Sequence, residues 1–143
     1  MAKKTTPRTS KGLAVFCARI AESKLAENIL ILNLTKIETA PTDYFVICSC
    51  DSSSQVSAIS DELLKQCRVS GIKRPRLEGL LTNYWVLADF FDVVFHIMHK
   101  EARIYYKLDK LWSDAQFFKL NEKGLPKALT PELLKSFILQ NNL

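Results

Sequence analysis

Asp51, Asp89 and Asp92 are the residues of this sequence whose type and position best suit chemistry. Asp51 stands where an apolar run ending in Cys48-Ser49-Cys50 gives way to a serine-rich helix start, and a helix N-terminus of that kind can hold phosphate. Asp89 and Asp92 follow another apolar run. Carboxylates at strand ends can bind metal ions for phosphoryl or nucleotidyl transfer, where two ions clamp the reacting oxygens. The spacing argues against this. Two bulky rings, Phe90 and Phe91, separate Asp89 from Asp92, whereas one intervening residue would put both carboxylates on the same strand face. The serines at 52–54 are accounted for by helix capping. A nucleotidyltransferase-like enzyme or nucleotide-binding protein therefore remains an alternative, and it rests on these three acids.

Other catalytic and metal patterns do not assemble. The four cysteines, at 17, 48, 50 and 67, include a C-x-C but no second C-x-x-C and no histidine pair at zinc-finger spacing. They read as reduced thiols buried as small hydrophobes. His96 and His99 lie three apart in a strand-like run and would point to opposite faces, and His96 reads as a packed strand histidine. The four glycines, at 12, 71, 79 and 124, form no phosphate-binding loop. The expectation is a protein without catalytic residues, bound metal or cofactor.

The elements that position these residues follow from periodicity. Leu13, Phe16, Cys17 and Ile20 recur at helical spacing, and the helix is expected to end near Lys24. Asn28-Ile29-Leu30-Ile31-Leu32-Asn33-Leu34 and Asp43-Tyr44-Phe45-Val46-Ile47-Cys48 read as strands. Ser52 and Gln55 have capping-box spacing, Val56, Ile59, Leu63 and Cys67 mark one helical face, and Gly71 stops the helix. Lys73-Arg74-Pro75-Arg76 reads as a basic loop. Tyr84-Trp85-Val86-Leu87-Ala88 and Val93-Val94-Phe95-His96-Ile97-Met98 are close enough for an antiparallel hairpin. Ile104, Leu108, Leu111, Trp112 and Ala115 predict a third main helix, and Thr130-Pro131-Glu132 starts another. The fold class is α/β (α+β): a single domain with a mixed β-sheet flanked by helices. Its expected bounds are a flexible basic arm over 1–12, the domain over 13–118 and a C-terminal helical appendage over 119–143.

Of the net charge of +5, four units sit on Lys3, Lys4, Arg8 and Lys11, which leaves +1 for residues 13–143. The arm can reach RNA phosphates with salt-sensitive affinity. An RNA-binding module, carried by residues 3–11 with Arg68, Lys73, Arg74 and Arg76, is a further alternative. The near-neutral remainder predicts no basic, aromatic-lined strand surface for it. No apolar run approaches the roughly 18 residues needed to cross a bilayer, so no membrane partner and a cytoplasmic address are expected. Trp85, Phe90 and Phe91, bracketed by Asp89 and Asp92, have the make-up of a protein–protein hot spot, although the same rings suit a core.

These blocks resemble the Iojap, or ribosome silencing factor, family. Asp43-Tyr44-Phe45-Val46-Ile47 and Ser54-Gln55-Val56 with Ile59 and Asp61 resemble its D-Y-F-V-I and S-x-Q-V-x-A-I-A-D motifs. Glu78-Gly79, then Trp85-Val86-Leu87-Ala88-Asp89-Phe90, resembles its E-G and W-x-L-x-D-Y. Asp92-Val93-Val94-Phe95-His96 matches D-V-V-x-H. The run from Arg103 through Tyr106, Leu108, Asp109, Leu111 and Trp112 to Ala115 matches R-x-x-Y-x-L-E-x-L-W-x-D-A. The blocks stand in family order from about residue 13 to 115.

The resemblance implies a nucleotidyltransferase-like topology without the catalytic set. It implies binding to the large ribosomal subunit through ribosomal large-subunit protein fourteen, which sterically blocks joining of the small subunit and represses translation when nutrients are short. It also implies a tendency to homodimerise. The ribosomal-protein contact is expected from Trp85, Leu87, Asp89, Phe90 and Asp92, with Arg103 and Tyr106 as neighbours, while Leu108, Leu111 and Trp112 are assigned to the core. There are two departures. The family's glycine after its D-Y pair is Phe91 here, which strains the chain if that position needs positive φ. The family's T-G-x-S entry to the second helix reads Cys50-Asp51-Ser52-Ser53-Ser54, without glycine. Residues 119–143 have no counterpart in the shorter members.

Overall fold

The computed structural model describes residues 6–143. In chain order the elements are α1 (Ser10–Ser23), β1 (Glu27–Asn33), β2 (Tyr44–Cys50), α2 (Ser53–Val69), β3 (Arg76–Glu78), β4 (Trp85–Asp89), β5 (Val93–His99), α3 (Lys100–Tyr106), α4 (Leu108–Leu111), β6 (Gln116–Leu120), β7 (Pro126–Ala128) and α5 (Pro131–Gln140). They form one seven-stranded sheet in the order β3-β4-β5-β2-β1-β6-β7. Only β2 and β5 pair in parallel; every other neighbouring pair is antiparallel. The mixed α+β architecture matches the expectation from sequence.

Strand alternation divides the core into two layers. Tyr44, Val46 and Cys48 of β2, Phe95 and Ile97 of β5, and Val86 and Ala88 of β4 face the helical pair, where Ala14, Cys17, Ala18, Ile59 and Leu63 pack on them. Phe45, Ile47, Leu30, Leu32, Met98 and Phe117 point the other way, beneath Ala102, Leu108, Trp112, Leu134 and Phe137. β2 is buried at all seven positions because both of its faces are covered. The helix starts read from sequence are present. Ser52 Oγ accepts from Gln55 N at 3.1 Å, and the reciprocal Gln55 Oε1 accepts from Asp51 N at 2.7 Å, one residue earlier than a capping box requires.

Four features differ from the sequence expectation. The first helix begins at Ser10, capped by Thr9, whose Oγ1 accepts from Gly12 N at 2.9 Å, so the end of the 1–12 arm is helical. Lys3 and Lys4 of that arm lie outside the described residues. Arg76, read as loop, opens β3 and pairs with Asp89. Residues 119–143 are not helix alone: they complete β6, add β7 to the sheet edge and lay α5 over the second layer through Leu134 and Phe137. The third helix is broken rather than continuous, because Lys107 sits at φ 51° between α3 and α4. Leu111, assigned to the core, is consequently 70% exposed.

A buried charge pair accounts for the break. Arg103 and Asp109 are both fully buried, with Nε to Oδ1 and Nη2 to Oδ2 each at 2.9 Å. Residues six apart in an uninterrupted helix lie about 120° apart around the axis, so the left-handed residue is what lets the two side chains meet. Arg103 Nη1 also donates to Asn28 O at 2.9 Å and to Ser49 Oγ at 3.0 Å. Asn28 offers that carbonyl from a positive φ of 51°, within the irregular register between Glu27 and Leu30. Asp109→Ala strands the guanidinium in the interior and is expected to cost about 3–5 kcal/mol in urea unfolding. Arg103→Met with Asp109→Leu, which leaves no charge behind, is expected to lose much less.

Candidate functional site

Trp85, Leu87 and Asp89 alternate along β4 onto the sheet face opposite α1 and α2, while Val86 and Ala88 between them are buried. α3 and α5 cover that outer face only in part, and Trp85, Leu87 and Val94 remain half-buried. Tyr106 reaches back from α3 over Trp85, with ring centroids 4.7 Å apart, and Tyr105 meets Tyr106 edge-on at 4.9 Å. Tyr106 is 48% exposed and Tyr105 77%. The result is an aromatic step on the open end of the sheet, edged by Glu78, Arg76 and Asp89. Gly79 makes the approach of β3 possible, because a Cβ there would lie 2.1 Å from the Trp85 carbonyl oxygen.

His96 underlies the step. Trp85 Nε1 donates to His96 Nδ1 at 3.2 Å, so a neutral imidazole carries its proton on Nε2, which is buried without a partner. Burial, and then the charge of Arg103, lower its pKa to about 3, against a smaller opposing pull from Asp109. The Phe45 ring meets His96 edge-on at 4.4 Å and holds it from the sheet side.

The residues expected at the contact do not all converge. Trp85, Leu87, Asp89 and Tyr106 lie together. Arg103 does not reach the surface; its guanidinium is consumed by Asp109, Asn28 and Ser49. Its place is corrected to the interior, where it ties α3 to Asp109, Asn28 and Ser49. Phe90 turns to the opposite layer and packs on the α1–α2 core. Asp92 is exposed at the hairpin tip, where its carbonyl accepts from Asp43 N at 3.2 Å and Tyr44 N at 3.1 Å. Tyr105 was missed by sequence reasoning. The signal was present, since three successive large apolar residues in a helix, Ile104-Tyr105-Tyr106, cannot all face one core.

Asp51 stands apart from the other two candidate acids. β2 and β5 run in parallel register from Tyr44↔Val93 to Cys50↔His99, so Asp51 and Asp92 sit at opposite ends of the pair, roughly 26 Å apart at about 3.3 Å per residue. Asp51 pairs with Lys100 at 3.6 Å, and Asp89 with Arg76 at 3.6 Å. Asp51 therefore cannot share a metal pair with Asp89 or Asp92. All four cysteines are free and buried. The Cys48 thiol is pushed up by its hydrogen bond with Cys50 and by burial, and burial raises Cys67 to about 11, which keeps these sulfurs protonated.

At the hairpin tip, Phe91 has φ 78° and an 84% exposed side chain. Positive φ at the first central residue alone is the II′ pattern, where glycine is the usual occupant. Asp89 Oδ1 accepts from Phe91 N at 2.8 Å, and Thr42 Oγ1 donates to Phe91 O at 2.6 Å. Lys73, Arg74 and Arg76 line the same groove as Phe90 and Phe91. Apart from Arg76, which opens β3, these basic and aromatic residues meet at loops and the hairpin tip and not on a strand surface, which is the kind of surface the sequence was expected to lack.

Residues 7–133 match the family described as "Ribosomal silencing factor during starvation". A ribosomal silencing factor of Bacillus subtilis is 40% identical over 111 residues, spanning 78% of this chain and 93% of the relative. A solved Bacillus halodurans structure superposes with a TM-score of 0.62 at 40% identity, over 73% of this chain and 95% of that one. The mouse protein named "Mitochondrial assembly of ribosomal large subunit protein 1" is 34% identical over 95 residues, 60% of this chain and 41% of its own length.

Two measurements probe this geometry. Phe91→Gly relieves a strain of roughly 1–3 kcal/mol against an unfolded-state entropy penalty of roughly 0.5–1 kcal/mol. Its unfolding free energy in urea is expected to rise by about 1 kcal/mol. His96 has a folded pKa below its unfolded value of about 6.5, so its contribution is complete above that pH and is lost as pH falls toward 3. Between pH 6 and 4.5 the native protein is expected to lose up to ~1.4 kcal/mol per pH unit from this group, and His96→Gln to show a shallower slope.

Proposed function

This chain belongs to the ribosomal silencing factor family, and on that premise we propose that it binds the large ribosomal subunit through ribosomal large-subunit protein fourteen. Lodged where the small subunit docks, it blocks subunit joining and represses translation in the cytoplasm, with no bond made or broken. The observation that carries this reading is the aromatic step of Trp85, Tyr106 and Tyr105 on the uncovered part of the sheet. Tryptophan and tyrosine are the residues in which interface energy concentrates, because large rings bury much area at little entropic cost. Trp85 is held by His96 before any partner arrives, and a preorganised ring loses little freedom on binding. The sheet beneath gives a rigid base, so a partner bound here holds the whole domain in place as an obstacle. The family description supports silencing, and the name of the mouse relative supports the large subunit as the relevant particle.

Leu87 and Val94 widen the apolar centre, and Asp89, Arg76 and Glu78 form a polar rim of mixed sign. Because Asp89 is engaged with Arg76 and with Phe91 N, its share in binding is orientation more than net attraction.

The test is co-sedimentation with separated ribosomal subunits at low and high salt, paired with light scattering of subunit association. Wild type is expected to pellet with large subunits alone and to suppress association. Tyr106→Ala, at a half-exposed position, is expected to weaken large-subunit binding more than tenfold, a hot-spot loss of about 2 kcal/mol, while keeping its unfolding midpoint near wild type. Trp85→Ala should lose at least as much. Retained affinity in both variants places the contact elsewhere, and equal binding to both subunits rejects the proposal.

A further inference from the structure

Among the described residues Phe91 is the one exposed phenylalanine, and its ring packs in neither core cluster. It occupies a backbone conformation that glycine adopts without strain, so the ring has a cost in the fold and no return there. Both backbone groups of Phe91 are tied down, by Asp89 and Thr42, and Arg76 steadies Asp89 in turn. The ring is thus presented to solvent on a stiff turn.

The two flanks of this ring differ in charge. One is a groove of about 440 Å³ that includes Leu13, Ile72, Lys73, Arg74 and Arg76, where Asp89 is the one acid and is paired with Arg76. The other, about 310 Å³, includes Glu38, Asp43 and Asp92. Thr6 Oγ1 donates to Ser70 O, which holds the segment leading into α1, with its exposed Arg8, beside the end of α2 from which Lys73 and Arg74 follow.

We propose that this tip binds single-stranded RNA, with an unpaired base stacked on Phe91 and the adjoining phosphates on Lys73 and Arg74. An exposed aromatic face beside a cationic track is the combination that unstacked nucleotides recognise, since every base offers a π-face and every linkage a negative charge. The acidic flank repels a second phosphate backbone, which selects a single strand over a duplex. The inference rests on the proposed function: at the large-subunit surface the strand is a looped segment of ribosomal RNA beside the protein contact. Here the ring binds a nucleotide, while Trp85 and Tyr106 on the outer sheet face bind protein.

The test is fluorescence anisotropy of the full chain with a labelled 12-nucleotide single-stranded RNA of mixed sequence, titrated from 50 to 200 mM salt. The expected result is salt-sensitive binding that an RNA hairpin stem of equal length does not match. Phe91→Gly is expected to weaken it roughly tenfold, the usual worth of one base–aromatic stack, while unfolding at higher urea than wild type. A ring with only a structural role would not separate those two readouts. Lys73→Gln with Arg74→Gln is expected to lower the slope of log affinity on log salt by about 1.4, two single-strand phosphate contacts. Tyr106→Ala should bind this RNA as wild type does. Absence of RNA binding, unchanged binding in Phe91→Gly, or preferential binding of labelled polyglutamate overturns the inference. Loss of large-subunit binding with RNA binding intact instead rejects the proposed function alone.

Discussion

One buried guanidinium decides where four segments of this chain lie. Arg103 is fully enclosed, and an unpaired charge there would cost several kcal/mol. It makes four hydrogen bonds, to both Asp109 oxygens, Asn28 O and Ser49 Oγ, in a planar fork that tolerates little displacement. α3 must stop so that Asp109 can turn inward, which is why Lys107 goes left-handed. β1 must kink at Asn28 to supply a carbonyl. The middle strand must carry a hydroxyl at 49, where its neighbours are apolar. A hydrophobic replacement could match the stability; the ion pair adds geometry, because it specifies a single arrangement of α3 on the sheet. That arrangement sets Tyr106 over Trp85, so the interior pair shapes a surface from which it is itself absent.

Glycine at 79 and phenylalanine at 91 show two answers to the same steric problem. At Gly79 the neighbour is the Trp85 carbonyl, a backbone group that cannot move aside without breaking the sheet edge. No side chain is possible. At Phe91 the left-handed conformation carries a penalty but nothing fills the space, so a large residue is accommodated at the expense of stability. Two hydrogen bonds to its own peptide groups offset part of that expense and make the turn rigid. Strain tolerated in the open, where no core contact depends on it, is the kind that tracks binding more than folding.

Long periodic elements were legible in the sequence and short or conflicted ones were not. α1, α2 and the β4–β5 hairpin follow from runs that repeat their period several times. β3 and β7 have three residues each, too few to display alternation, and both exist because an edge of the sheet was there to pair with. The segment from Ile104 to Ala115 misled for a physical reason. Its apolar residues step at helical intervals, yet the residue that goes inside is Asp109 and one that stays out is Leu111, because pairing Arg103 outweighs burying leucine. The same pair explains why Arg103 looked like a binding residue. Motif position alone does not distinguish a side chain that touches a partner from one that holds up its neighbour. Trp85, Leu87 and Tyr106 could be named from the motifs, but that they share one face, and that Phe90 turns to the other, needed the register of β4 against β5.

The location of the site follows from the unequal cover on the two faces of the sheet. Two long helices close one side across β1, β2, β5 and β4. The other side has a seven-residue α3, a single turn of α4 and α5, whose partly buried residues Leu134 and Phe137 lie over the layer built from β1, β2 and β6. Helix cover therefore runs out toward β4 and β3, where strand alternation still sends large apolar residues outward. A sheet face left without a second layer must meet water, another copy or a partner. Here the uncovered residues are aromatic rings already held by hydrogen bonding and stacking, and this face asks its occupant for little reorganisation. On the function proposed above, an obstacle to subunit joining needs that property more than it needs an active site, because such an obstacle acts through the free energy of staying bound.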